Sequence, residues 1–244
     1  LGRSLLKVAG YSDFRARTEQ ALFEQREVHR GTLGLQERID AGLAAHAASP
    51  AFLDHVTALE VPHPFDSHPP LQERLASVKA SVGVTDAGAL LQARPADSWA
   101  DAVLTAAAIE GRLWAAYEAR FKEGHEVSLA WRSLPATDEE RALVVKHFPD
   151  AAFPLKDGGQ LLVTHLALTT DEGTVVRFSE VQEAKVDSGT FSNALVLKVA
   201  QPGAKTRTVK VKLGPLGKQQ DRFKAVFAQY WQRDQVARKA VAGE

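Results

Sequence analysis

Near residue 150 the apolar residues stop recurring every three or four positions and begin to alternate, so the chain must fold as a helical part followed by a sheet. From Gln160 to Leu213 it is rich in Val, Leu, Thr and Phe. Turn signals interrupt this stretch at Asp157-Gly158-Gly159, Asp171-Glu172-Gly173, Asp187-Ser188-Gly189 and Gln201-Pro202-Gly203. The clearest strand is Thr208 to Leu213, where Val209, Val211 and Leu213 alternate with Lys210 and Lys212. That alternation gives one buried and one wet face, as in an antiparallel sheet. Short, evenly spaced strands joined by tight turns predict a small barrel or sandwich. Phe223, Val226, Phe227, Tyr230 and Trp231 then form an apolar stripe on a helix from about Gln219 to Arg238. The expected class is α+β: helices to about residue 150, then a small antiparallel β domain closed by a C-terminal helix.

In the helical part, Leu5, Leu6, Val8 and Ala9 already follow a helical pattern, with no initiator methionine before them, which suggests a piece of a longer chain. Ser12 and Asp13 can cap a helix marked by Phe14, Ala21, Leu22 and Val28. Leu35, Ile39, Leu43 and Ala47 mark a second helix, stopped before Pro50, and Phe52, Leu53, Val56 and Leu59 a shorter third. After Ser98, Trp99, Val103, Ala106, Leu113, Tyr117 and Phe121 fall along one face of the strongest helix in the sequence. Thr137 with Glu140 three residues on is a capping box for a helix ending before Pro149.

The stretch VPHPFDSHPPLQERL, Val61 to Leu75, carries Pro62, Pro64, Pro69 and Pro70 with His63 and His68. Proline has a fixed φ and no amide hydrogen, so Pro69-Pro70 marks the start of a helix whose apolar residues are Leu71, Leu75 and Val78. His63, Asp66 and His68 offer three metal-ligating groups, but no fourth is at hand and the prolines hold the backbone extended. The plainer reading has His68 hydrogen-bonding at the helix start and Arg74 pairing with a carboxylate of the domain core.

Composition narrows the function classes. Thirty basic and thirty acidic side chains cancel over 244 residues, so global charge gives no reason to expect nucleic acid as a partner. With no cysteine there is no disulfide framework and no thiolate nucleophile or ligand. No apolar run approaches the ~18 residues that a membrane span requires, and the first residues lack a signal-peptide layout. Gly31-Thr32-Leu33-Gly34 lacks the ending of a phosphate-binding loop, and no serine sits in an elbow-type motif. The tryptophans Trp99, Trp114, Trp131 and Trp231 read as core residues.

One local imbalance stands out. Lys198, Lys205, Arg207, Lys210, Lys212, Lys218, Arg222 and Lys224 face a single acidic residue, Asp221, between positions 198 and 224. This is a candidate basic surface for an anionic membrane or a protein partner. The same lysines also suit the solvent face and protected edge of a sheet.

Two resemblances follow from these residues. LLVTHLALTTDEGTVVRFSEVQEAKV, Leu161 to Val186, with a strand pair and one helix after it, resembles the bacterial pleckstrin-homology-like superfamily, which implies a bent barrel plugged by its last helix. HPFDSHPPLQERL, with the preceding LLKVAGYSDFRARTEQALFEQREVH and LQERIDAGLAAHAASPAFLDH, resembles the region after the active site of HtpX-like membrane zinc metallopeptidases, relatives of the CAAX prenyl proteases. His68, Pro69, Pro70 and Arg74 match that family's His-Pro tract as a structural motif.

The resemblance implies a soluble, cytoplasmic-side C-terminal portion of a bacterial inner-membrane protease. Residues 1–82 would be the tail of the peptidase domain, 83–150 a helical linker region and 151–244 the β domain. The family's zinc site is HExxH plus an acidic third ligand, and none of the eight histidines has that spacing; His125-Glu126 is followed by Val127, Ser128 and Leu129. The expectation is therefore a chain with no cofactor and no catalytic residues of its own. It would act beside a zinc-bearing parent, with the rest of that protease, a protein substrate or partner, or a membrane surface as its neighbours. The alternatives are a free-standing pleckstrin-homology-like binding module for a protein partner or anionic membrane surface, and a scaffold whose helical part mediates self-assembly because its apolar stripes need covering.

Overall fold

A computed structural model describes residues 2–26, 31–50, 52, 71–78, 102–189, 192–201 and 204–243. The fold is α+β: helices, two small antiparallel sheets, and a C-terminal helix. The chain forms two compact units, Leu1–Lys122 and Glu123–Glu244. The boundaries expected near 82 and 150 follow motif and period, whereas the compact units divide inside one long helix.

In the first unit α1 runs unbroken over Gly2–Glu24. The sequence suggested a fresh start at Ser12-Asp13, but Asp13 is interior to the helix and its carboxylate is engaged elsewhere. It lies 3.0 Å from Arg17 Nε and 2.8 Å from His46 Nε2. A side chain with two such partners has no need to cap. α2 spans Leu35–Ala47 behind Gly34, whose φ of 58° is a left-handed conformation that glycine adopts without steric penalty. Gly42 lets α1 and α2 approach, since a Cβ there would stand 2.4 Å from the Phe14 ring. Phe14 also stacks on His46, ring centroids 4.9 Å apart.

Leu22, Leu35 and Ile39 are buried at the centre of this unit, with Tyr11, Phe14, Trp114, Tyr117 and Phe121 packed around them. α3 covers Leu71–Ser77, within the helix expected after Pro69-Pro70, and the proline pair itself lies outside the described residues. Trp99, Leu53, Val56 and Leu59 lie outside the described residues.

The long helix, α4, spans Ala106–Arg132. Its expected apolar face divides. Tyr117 and Phe121 pack on the core, whereas Leu113 is 62 % exposed and Val103, in the turn before the helix, is 41 % exposed.

In the second unit α5, Asp138–His147, opens on the predicted capping box. Thr137 Oγ1 accepts from the Glu140 amide at 3.2 Å, and Glu140 Oε2 accepts from the Thr137 amide at 3.1 Å and the Ala136 amide at 2.7 Å. Those backbone donors hold the Glu140 carboxyl below its ordinary range.

The first sheet, in the order β1 (Ala151–Pro154), β2 (Gln160–Val163), β3 (Ala167–Thr169), β4 (Val175–Arg177), is antiparallel throughout. The second runs β5 (Val181–Gly189), β6 (Ser192–Gln201), β7 (Ala204–Lys212). Its register sets Leu195 between Val186 and Val211, and Leu197 between Ala184 and Val209, on one face. The opposite face carries Glu183, Lys198 and Thr208 in one row and Lys185, Val196 and Lys210 in the next.

The last helix, α6, covers Gln220–Ala242 and buries Phe223, Phe227 and Tyr230. Phe223 meets Phe153 of β1 edge to face at 5.3 Å, and Phe227 meets Phe178 at 5.7 Å. Tyr230 donates its hydroxyl to the Pro149 carbonyl at 2.7 Å. Of the stripe read from the sequence, Phe223, Phe227 and Tyr230 are buried, and Val226 and Trp231 are half-buried.

Candidate functional site

β7 is an edge strand, and beside it the two sheets leave an open seam. A cleft of about 120 Å³ lies there, bordered by Asp157 of the β1–β2 turn, Thr170, Asp171 and Glu172 of the β3–β4 turn, and Lys210 and Lys212 of β7. Strand alternation aims both lysines outward, because Val211 and Leu213 occupy the buried positions between and beyond them. One wall is cationic and the other anionic, which suits a polar segment carrying both signs better than a plain polyanion.

The candidate basic residues separate in space. Glu183 holds Lys198 at 2.5 Å and also pairs with Lys185. These two lysines pull its carboxyl down to about 2, the hydrogen bond from Lys185 being the largest cause. Lys224 is 3.0 Å from Asp221, and the Arg222 guanidinium sits 5.3 Å from the centroid of the Phe153 ring. Lys205 and Arg207 also belong to β7, and Lys218 to a 3-10 segment, Gly214–Gln219. Counting along the sequence missed Glu183, Asp157, Asp171 and Glu172, which register and turns bring alongside. The Asp-Gly-Gly and Asp-Glu-Gly turns were visible, but as chain reversals rather than as carboxylates facing lysines.

His63, His68, Pro69 and Pro70 lie outside the described residues, so the motif is represented by Arg74 alone. Arg74 lies in the last turn of α3, where its carbonyl accepts from Ser77 Oγ at 2.8 Å. Among the described residues no group of three His, Asp or Glu side chains is placed to hold a metal ion. No helix among them is long and apolar enough to cross a membrane.

The second unit also buries His165, 7 % exposed, in the β2–β3 turn, with no hydrogen-bond partner for either ring nitrogen among the described residues. Burial, then the Arg233 charge, lowers its pKa; Asp150 opposes and Arg141 adds to the lowering. The unfolded chain therefore takes up this proton first as the pH falls below about 6.5. His165 should favour the fold fully above that value and progressively less as pH falls through the folded-state value. Urea midpoints measured across this range should decline toward acid, and His165→Phe should flatten that part of the slope. An unchanged slope in the variant would remove His165 as the cause.

A scan against protein-family models, a search of curated proteins and a search of solved structures each returned no match.

Proposed function

We propose that the chain is the non-catalytic, soluble C-terminal portion of a membrane-anchored HtpX-like zinc metalloendopeptidase, held on the cytoplasmic side of a bacterial inner membrane. Residues 1–82 complete the protease core around the His68-Pro69-Pro70 tract and Arg74. The second unit is a pleckstrin-homology-like module that engages a protein partner. Zinc belongs to the parent, because HExxH is missing from this sequence. The observation that carries the module reading is the packing of α6 on the first antiparallel sheet and the 3-10 turn after it, through Phe223 on Phe153 and Phe227 on Phe178. This packing supports the bent barrel plugged by its last helix that the sequence resemblance implies. The protease reading rests on the HPFDSHPPLQERL resemblance.

Reading the frame upstream of Leu1 tests the protease assignment. Membrane-spanning segments and an HExxH helix are expected there, and their absence would leave the free-standing module as the better account.

A protein partner is preferred over a lipid surface because carboxylates border the lysines of β6 and β7. The full chain should sediment no more with vesicles containing anionic lipid than with neutral ones. Anion-dependent sedimentation that disappears in a Lys210→Glu/Lys212→Glu variant would transfer the site to the membrane.

A further inference from the structure

The first unit carries a larger groove, about 590 Å³, along the N-terminal half of α4, with Arg15 of α1 on its flank. It is mainly apolar, and its floor is exposed: Ile109 is 42 % and Leu113 62 % accessible. Groove residues on α4 recur at Ala106, Glu110, Leu113, Tyr117 and Arg120, alternating steps of four and three. That average of about 3.5 residues is the repeat of a helix-pairing seam. Ala106, Leu113 and Arg120 then hold one kind of seam position, and Glu110 and Tyr117 the other.

We propose that this seam pairs with the same seam of a second copy, antiparallel, about a local twofold axis at the level of Ala115. In an antiparallel pair each layer joins one kind of seam position to the other kind on the facing helix. The axis therefore sets Glu110 against Arg120 of the partner subunit, and Leu113 against Tyr117 of the partner subunit. Symmetry repeats each contact, giving two ion pairs that flank two apolar layers.

The charges select this arrangement, since parallel pairing would put Glu110 beside Glu110 of the partner subunit and Arg120 beside Arg120 of the partner subunit. Glu110 is exposed and accepts from Gln36 Nε2 at 3.3 Å, which holds its carboxylate at the groove wall. Arg120 is likewise exposed. A single helix pair buries less than the 1,200 to 2,000 Å², roughly, of a standard interface, so the dimer is one that dissociates on dilution. It does not depend on the protease assignment.

Light scattering on the full chain over a concentration series should show the mass rise toward twice the monomer. Glu110→Arg or Arg120→Glu alone creates two like-charge contacts and should weaken association at least about tenfold. The combined Glu110→Arg/Arg120→Glu variant restores both pairs and should return to within about threefold of the unmodified chain.

The sequence contains no cysteine, so cross-linking gives a second readout. A mixture of Glu110→Cys and Arg120→Cys copies should form a covalent dimer on oxidation. Neither should do so alone, because ten helical residues separate like positions by about 15 Å. A mass that stays monomeric throughout overturns the proposal. So does a dimer indifferent to the single reversals, or not restored by the double one, or cross-linking as efficient in either variant alone as in the mixture.

Discussion

Arg233→Ala is expected to destabilise the second unit by about 3–5 kcal/mol, the combined cost of two carbonyls left without their donor and of the cavity left behind. Arg233 is 0 % exposed, and it lies where α6 passes the C-terminal end of α4. Its Nε donates to the Ala130 carbonyl at 2.9 Å, and its Nη2 to the Ser133 carbonyl. The last carbonyls of a helix have no partner within it, so this guanidinium supplies a cap from a distant part of the chain.

Burial lowers the pKa of Arg233 and neighbouring Asp234 raises it, but a guanidinium stays charged in any case. Alanine would orphan both carbonyls, each costing about 1–3 kcal/mol, and would leave a cavity against Phe148, whose ring centroid is 6.0 Å from the guanidinium carbon. Arg233→Met refills the volume without the donors and should fall between alanine and the native chain. The measurement is urea unfolding of the full chain, followed by amide exchange in the strands of the second unit. A loss below about 1 kcal/mol for alanine would mean that water reaches those carbonyls once the side chain is gone.

Arg233 also shows where sequence reading stops. The stripe Phe223, Phe227, Tyr230 was plain, and its period continues onto Arg233, Asp234 and Ala237, all three buried. Charge at two of those positions made the stripe seem to end at Trp231. The helical period was the better guide, because Arg238 satisfies Asp234 at 2.7 Å and two carbonyls accept from Nε and Nη2 of Arg233.

Signals local in sequence read well for a related reason. The Thr137–Glu140 box and the Asp157-Gly158-Gly159 turn between β1 and β2 each depend on a few adjacent residues. Asp13 misled because its partner, His46, is distant in the chain. The seam cleft was hidden similarly, since strand pairing and turns from separate segments bring Asp171 and Lys210 to one cleft. The split of the α4 face could not be seen either. Periodicity identifies which residues share a face, but not which part of that face finds a neighbour, and here Tyr117 and Phe121 do while Leu113 does not.

Phe223→Ala should cost about 3–5 kcal/mol, because truncating a buried phenylalanine loses its transfer free energy and opens a cavity that packed neighbours refill only partly. The ring is 0 % exposed and sits between Phe153, edge to face at 5.3 Å and 85°, and Phe227 at 6.3 Å. Phe153 is itself 0 % exposed, so neither partner can move outward to fill the gap without exposing apolar surface. Phe223→Leu should cost less, since leucine keeps most of the volume and loses mainly the ring geometry. A cycle with Phe153→Leu isolates that geometry, with a coupling of about 0.5–1.5 kcal/mol expected for an edge-to-face pair. Val236, on the same helix and 38 % exposed, is the control, and Val236→Ala should stay within about 0.5 kcal/mol of the native chain. If Phe223→Ala and Val236→Ala cost the same, α6 is not the element that closes the first sheet. The module reading would then lose the contact on which it depends.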